Sequence, residues 1–232
     1  RALEPARPPE EVGHLFKSAG CNCDEGPYGW GDERLLPAAC GWTPLQRYGY
    51  TYDPKTYNWA GAGLLQELIE AMHRARATTR VEDLRAFFQE HFDVDLMLSY
   101  TAIINWAVPF DDYFQNHFLY RRMRDGKWIM MPWDLDLDFG GWQGASSSLY
   151  MGMQGDASNR EGWWNYVKDS FLKAYRAEYD ERMRFLNNTV LTPQNIGKIL
   201  DGVLAESSQT EADQAAAPLR NQCTFAGAAA AF

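Results

Sequence analysis

Three polar residues are spaced for phosphate chemistry. Asp111 precedes Asn116 by five positions, and Asp134 opens the run Asp134-Leu135-Asp136-Leu137-Asp138-Phe139-Gly140. Transfer of a phosphoryl group asks for little covalent work from a protein. It needs a carboxylate to orient and deprotonate the acceptor hydroxyl, and oxygen ligands to hold Mg²⁺ on the phosphates. Asp111 is a candidate base, Asn116 offers an amide oxygen and Asp134 a carboxylate. Alternating Asp residues also occur in calcium loops. With Asp134 as position one of an EF-hand, however, Phe139 stands where Gly is required and Ala145 where a bidentate Glu is required. A calcium loop of another kind, or plain structural carboxylates, is the competing reading of the triplet.

Those residues sit among elements that the sequence marks clearly. Leu64, Leu65, Leu68, Ile69 and Met72 share one face, which predicts a helix over 63–76. Leu84, Phe87 and Phe88 repeat the pattern from Val81 to His91. Asp93-Val94-Asp95 then suits the positive N-terminal end of a third helix. From Leu96 to Val108 that helix is apolar nearly all round, which predicts a buried central element ended by Pro109. His117 to Arg122 reads as a strand, Asp125-Gly126 as a tight turn, and Lys127 to Trp133 as the returning strand. Helical pattern resumes at Trp163 and runs to about Leu186. Thr192 and Pro193 look like the cap and first residue of a last helix reaching Glu206. Upstream, residues 1–11 read as a tail and Val12 to Lys17 as a short strand. Ser18 to Asn58 carries Gly and Pro without a period, an insertion or covering loop. The tail from 207 to 232 is Ala-rich.

Composition narrows the function classes. The chain has 232 residues, 46% hydrophobic and 23% charged, which fits one large globular domain. Aromatics reach 14%, and many lie between Trp106 and Trp142, where core packing is their ordinary role. The net charge is −9, and Arg121, Arg122 and Arg124 form the densest basic group, read as a solvated face. Nucleic-acid binding is therefore disfavoured, and no apolar run is long enough to span a membrane. An acidic protein handling a polyanion such as ATP needs cations to bridge like charges. Cys21, Cys23 and Cys40 crowd one segment, with Cys223 distant. They read either as free thiols or as one or two disulfides, with Cys21 or Cys23 within about 4.4–6.8 Å of Cys40 between Cα atoms. Disulfides would imply an oxidising compartment and tilt the location toward the secreted or surface side. Asn187-Asn188-Thr189 matches the glycosylation sequon.

The order of the central elements resembles that of protein kinases, where a helix leads to the base, an Asn five residues on, a hairpin and a metal-binding Asp. More closely, the run from Asp93 to Gly140 resembles the signature of the CotH (spore coat protein H) kinase family. The resemblance rests on Asp93-Val94-Asp95, on Asp111 to Asn116, on Leu119-Tyr120, and on Pro132-Trp133-Asp134-Leu135-Asp136-Leu137-Asp138-Phe139-Gly140. Val12 to Lys17 is similar to the family's Gly-x-Leu-Tyr-Lys strand, with Phe16 in place of Tyr. The likeness covers roughly residues 12–206.

It implies an α+β fold, the protein-kinase-like large lobe, mainly helical with a small antiparallel hairpin. It also implies an atypical protein kinase that moves the ATP γ-phosphate to a Ser, Thr or Tyr hydroxyl of a protein, with Mg²⁺ or Mn²⁺. In that scheme Asp111 is the base, Asn116 and Asp134 hold the metal, and Asp136 is a further ligand or supports one. Asp138 falls on a variable position of the pattern, and Asp112 is one residue short of the base spacing. The family's small lobe, with its phosphate-binding Lys, precedes the strand at Val12, where only eleven residues stand here. Lys17 is not that lysine. The chain is thus expected to be a fragment or to have lost nucleotide binding. The alternative function is a catalytically incomplete coat or surface protein acting as a binding module.

Overall fold

The structure, a computed structural model, describes residues 12–18, 52–107, 116–135 and 166–206. Their elements are β1 (His14–Ser18), β2 (Tyr52–Pro54), α1 (Ala62–Ala77), α2 (Val81–His91), α3 (Val94–Ala107), β3 (His117–Arg121), β4 (Trp128–Pro132), α4 (Tyr166–Ala174), α5 (Arg176–Phe185) and α6 (Pro193–Glu206). Helices dominate, and the strands make one antiparallel sheet in the order β2-β1-β3-β4. The architecture is α+β. The tails 1–11 and 207–232 and all four cysteines lie outside the described residues.

Alternation along the strands decides which face of the sheet is buried. Phe16, Leu119 and Met130 stand side by side in register and face the helices, at 0%, 0% and 7% exposure. Lys17, Phe118 and Met131 form the next row, on the opposite face. Beneath the sheet, Phe88 is fully buried and meets Phe171 edge-on at 5.0 Å and Phe92 at 5.6 Å. That aromatic cluster joins α2 to α4. Such edge contacts add to the burial of the rings themselves.

The hairpin forms where turn chemistry predicts it, but its connection is longer than two residues. Arg122 N–H donates to the Lys127 carbonyl at 2.9 Å, and Gly126 N–H to the Arg122 carbonyl at 3.0 Å. Gly126 takes φ +69°, the left-handed conformation that closes a longer hairpin loop. Two cations bolt this turn to the helices. Arg122 pairs with Asp125 at 2.7 Å and with Asp93 at 2.9 Å, while Asp93 caps α3 through the Leu96 N–H at 3.2 Å. Lys127 donates to the last carbonyls of α2, those of Gln89 and Glu90, a favourable place for a cation. Burial raises the Asp125 carboxyl, but the Lys127 N–H and the Arg122 guanidinium outweigh it and hold it below its ordinary value.

Four sequence expectations need correction. Arg122 does not belong to a solvated face, since its side chain is only 14% exposed between two carboxylates. Helix α3 is not buried all round: Leu96 and Ile103, seven residues apart on one stripe, are 41% and 44% exposed. The expected loop from Ser18 to Asn58 carries strand residues at both ends. Ser18 belongs to β1, and Tyr52–Pro54 pairs with β1 through Phe16↔Pro54, Lys17↔Asp53 and Ser18↔Tyr52. Three residues including a proline are too few to show a period. The run from Trp163 to Leu186, described from Tyr166 onward, is two helices. They break at Tyr175, whose φ and ψ are −125° and 33°. There Arg85 Nη1 takes the Ala174 carbonyl at 2.6 Å, and Tyr175 packs on Phe171 at 5.0 Å. A side chain that captures a helical carbonyl is a recognised cause of such breaks. The Asn187 Nδ2 of the sequon triplet, which a glycan would need, is buried with no partner among the described residues, in the helical turn Leu186–Val190. The sequon at Asn187 is therefore shielded. The last helix starts as its cap predicts, with Asn195 N–H donating to Thr192 Oγ1 at 3.2 Å.

Arg85 also pairs with Glu178 and lies over the Tyr175 ring at 4.2 Å, so it ties α2 to α4 and α5. The Arg85 hydrogen bond, aided by a backbone bond, holds the Glu178 carboxyl below its ordinary 4.5. A depressed carboxyl stabilises the fold above its unfolded pKa and loses that contribution as pH falls through the folded one. Arg85→Ala is expected to cost about 1–2 kcal/mol near neutral pH in urea unfolding. The cost should shrink below about pH 4.5, leaving only the carbonyl and ring contacts. An equal cost at about pH 3 would show that the ion pair contributes nothing.

Candidate functional site

The hairpin has two ends, and the candidate residues Asn116 and Asp134 lie at the one opposite the turn. Antiparallel pairing of His117 with Pro132 brings Asn116 opposite Trp133, whose N–H donates to the Asn116 carbonyl at 2.9 Å. Asn116 is only 5% exposed. Its Nδ2 donates to the main-chain carbonyl of Asp134 at 3.2 Å. One side chain thus spans the mouth of the hairpin and fixes the residue that follows the returning strand.

Asp134 itself adopts φ +57°. A left-handed residue with a side chain is strained, although Asp tolerates it better than most. The conformation swings the chain off the line of β4 just after the strand ends. It turns the carbonyl toward Asn116 and leaves the carboxylate exposed. That carboxylate has no hydrogen bond or ion pair to the described residues, and Asn116 Oδ1 has none either. Strain of this kind concentrates at functional sites, where the surrounding structure holds it in place.

Beside this corner lies the outer face of the sheet. Trp133 is 50% exposed and meets Phe118 edge-on at 5.4 Å. The Lys17 ammonium lies 5.6 Å from the Trp133 ring centre. This trio was not legible in the sequence, because strand pairing across a hundred residues brings Lys17 to Phe118. Trp133 was visible only as part of the Pro-Trp-Asp run.

Of the candidate site residues, the structure brings together Asn116 and Asp134. Asp111, Asp112, Asp136 and Asp138 lie outside the described residues. Among the described residues no group of three or more His, Cys, Asp or Glu side chains is placed to hold a metal ion. Asn116 and Asp134 offer two oxygen donors, short of a complete cation shell.

Helices thus pack on a small antiparallel sheet, and the mouth of its hairpin joins the Asn116 side chain to the main chain of a left-handed Asp134. A family model described as CotH kinase protein matches residues 49–214. The match covers well over half of the chain, which belongs to the CotH kinase family. Membership implies kinase-like function, with nucleotide and metal use in general. No curated protein matches the sequence. The matched stretch starts after β1, yet β1 is an inner strand of the sheet.

The backbone strain at Asp134 is open to measurement. Asp134→Gly relieves the left-handed penalty and should leave stability unchanged or slightly raised. Asp134→Val, branched at Cβ, should lower it by about 1–2 kcal/mol in urea unfolding. Equal stabilities for the two variants would mean that residue 134 is not held left-handed in solution.

Proposed function

We propose that this chain is the catalytic large lobe of an atypical, ATP-dependent protein kinase acting on a Ser, Thr or Tyr hydroxyl. The reading is carried by the Asn116 carboxamide bonded to the Asp134 main chain at the mouth of the hairpin. It leaves the Asn116 amide oxygen and the Asp134 carboxylate at one corner, neither bonded to a described residue, and such oxygens suit a hard cation such as Mg²⁺ or Mn²⁺. Asp136 would complete or support that set. When bound, the cation would neutralise charge on the nucleotide phosphates. Asp111 takes the proton of the acceptor hydroxyl as the new oxygen–phosphorus bond forms and the bond to the ADP leaving group breaks.

The two carboxylates are assigned different work, so their variants should differ. Asp134→Asn removes charge at the metal position while keeping a side chain that tolerates the left-handed backbone. It is expected to abolish metal-dependent ATP binding in the intact protein. Asp111→Asn deletes the base and leaves the ligands, so binding should persist while phosphate transfer is lost. Calorimetric titration with Mg-ATP and a transfer assay separate the outcomes. Unaltered transfer by both variants would overturn the roles assigned to Asp111 and Asp134, and no transfer by the unaltered protein would overturn the kinase reading and leave a binding module of the coat or surface type.

A further inference from the structure

Lys17 is a cation that the strand pairing sets beside the Asn116–Asp134 corner, with no anion bound to it among the described residues. In a chain of net charge −9, the described lysines and arginines mostly meet carboxylates or helix carbonyls. The Lys17 ammonium meets none among the described residues. Asp53 is its direct partner across the β1–β2 ladder, yet the Asp53 carboxylate is taken by Lys55. Lys17 instead lies against the ring of Trp133 at 5.6 Å. A cation–π contact holds an ammonium in place without neutralising it. The charge therefore remains available to an anion approaching from the open side.

The position of that charge gives it meaning. Trp133 immediately precedes Asp134, and its main chain is bonded to Asn116 at 2.9 Å. Lys17 pairs in register with Phe118, two residues after Asn116, and Phe118 packs edge-on against Trp133. The cation thus sits on the outer sheet face next to the two oxygen donors. An anion carrying a cation of its own would find opposite charge on both flanks there.

From this geometry we infer that Lys17, held by Trp133, binds the polyphosphate oxygens of the ligand at the Asn116–Asp134 corner. The inference rests on the phosphotransferase reading, and it assigns phosphate contact to a strand of this chain. An ammonium can donate three hydrogen bonds, and those to charged oxygens are among the stronger ones.

The test is Lys17→Met in the intact protein, titrated with Mn²⁺ alone, Mn-ATP, AMP and Mn-tripolyphosphate. Binding of Mn-ATP and Mn-tripolyphosphate should weaken roughly tenfold or more, the size expected for one charged hydrogen bond. AMP and Mn²⁺ alone should bind as in the unaltered protein, and Lys17→Arg should recover part of the loss. Unchanged Mn-ATP binding by Lys17→Met would overturn the assignment of Lys17 and leave the kinase reading standing. A Lys17-dependent response to tripolyphosphate with no preference for ATP would uphold Lys17 and overturn the nucleotide. Failure of the unaltered protein to bind either polyphosphate would overturn both. Should Lys17→Met not fold, Lys17→Gln must show the same pattern.

Discussion

Register in the β3–β4 pair is the constraint on which the site depends. Side chains alternate with a period of two, so a slip of one residue would send every side chain of the strand to the other face. With His117 opposite Pro132, Leu119 and Met130 enter the core, and Asn116 meets the chain at Asp134. The burial of Leu119 and Met130 therefore helps to hold the polar corner in place, although neither residue touches it. Hydrophobic burial supplies the energy and the hydrogen bond supplies the aim.

The turn end of the same hairpin is anchored by charge. Arg122 joins it to the start of α3 through Asp93, and Lys127 joins it to the end of α2. Asp93 N–H also donates to the Trp128 carbonyl at 3.3 Å, so the helix junction and the sheet share main-chain contact. Phe88, Phe92 and Phe171 pack beneath this junction. One end of the hairpin is thus fixed to the helical layer. The other presents the Asn and Asp, and rigid support of this kind is what a site needing sub-ångström placement requires.

Electrostatics at the corner run against the chain as a whole. An acidic protein repels a polyanion, and the Asp134 carboxylate, without a partner among the described residues, adds to that repulsion unless a cation intervenes. Lys17 lies nearby against the Trp133 ring, with no ion pair among the described residues. The local balance is set by where three side chains fall, and net charge gives no hint of it.

Features written in local chemistry were legible from the residues. The helices over 62–77 and 81–91 follow from apolar spacing, the start of α6 from Thr192-Pro193, and the hairpin from Asp125-Gly126 between two β-rich runs. Each rests on contacts a few residues apart, which a linear reading can weigh. The hairpin prediction set Asn116 and Asp134 at its two ends, but the bond of the Asn116 carboxamide to the Asp134 main chain is decided by the pairing register. What only the tertiary structure decided is non-local. The insertion of β1 between β2 and β3, the sharing of Arg122 by Asp93 and Asp125, and the shielding of Asn187 each depend on packing between segments. So do the exposed stripe of α3 and the break at Tyr175. The same residue types would read identically in a strand edge, a solvated face or a core. Burial and long-range pairing, set by the whole chain at once, choose among them.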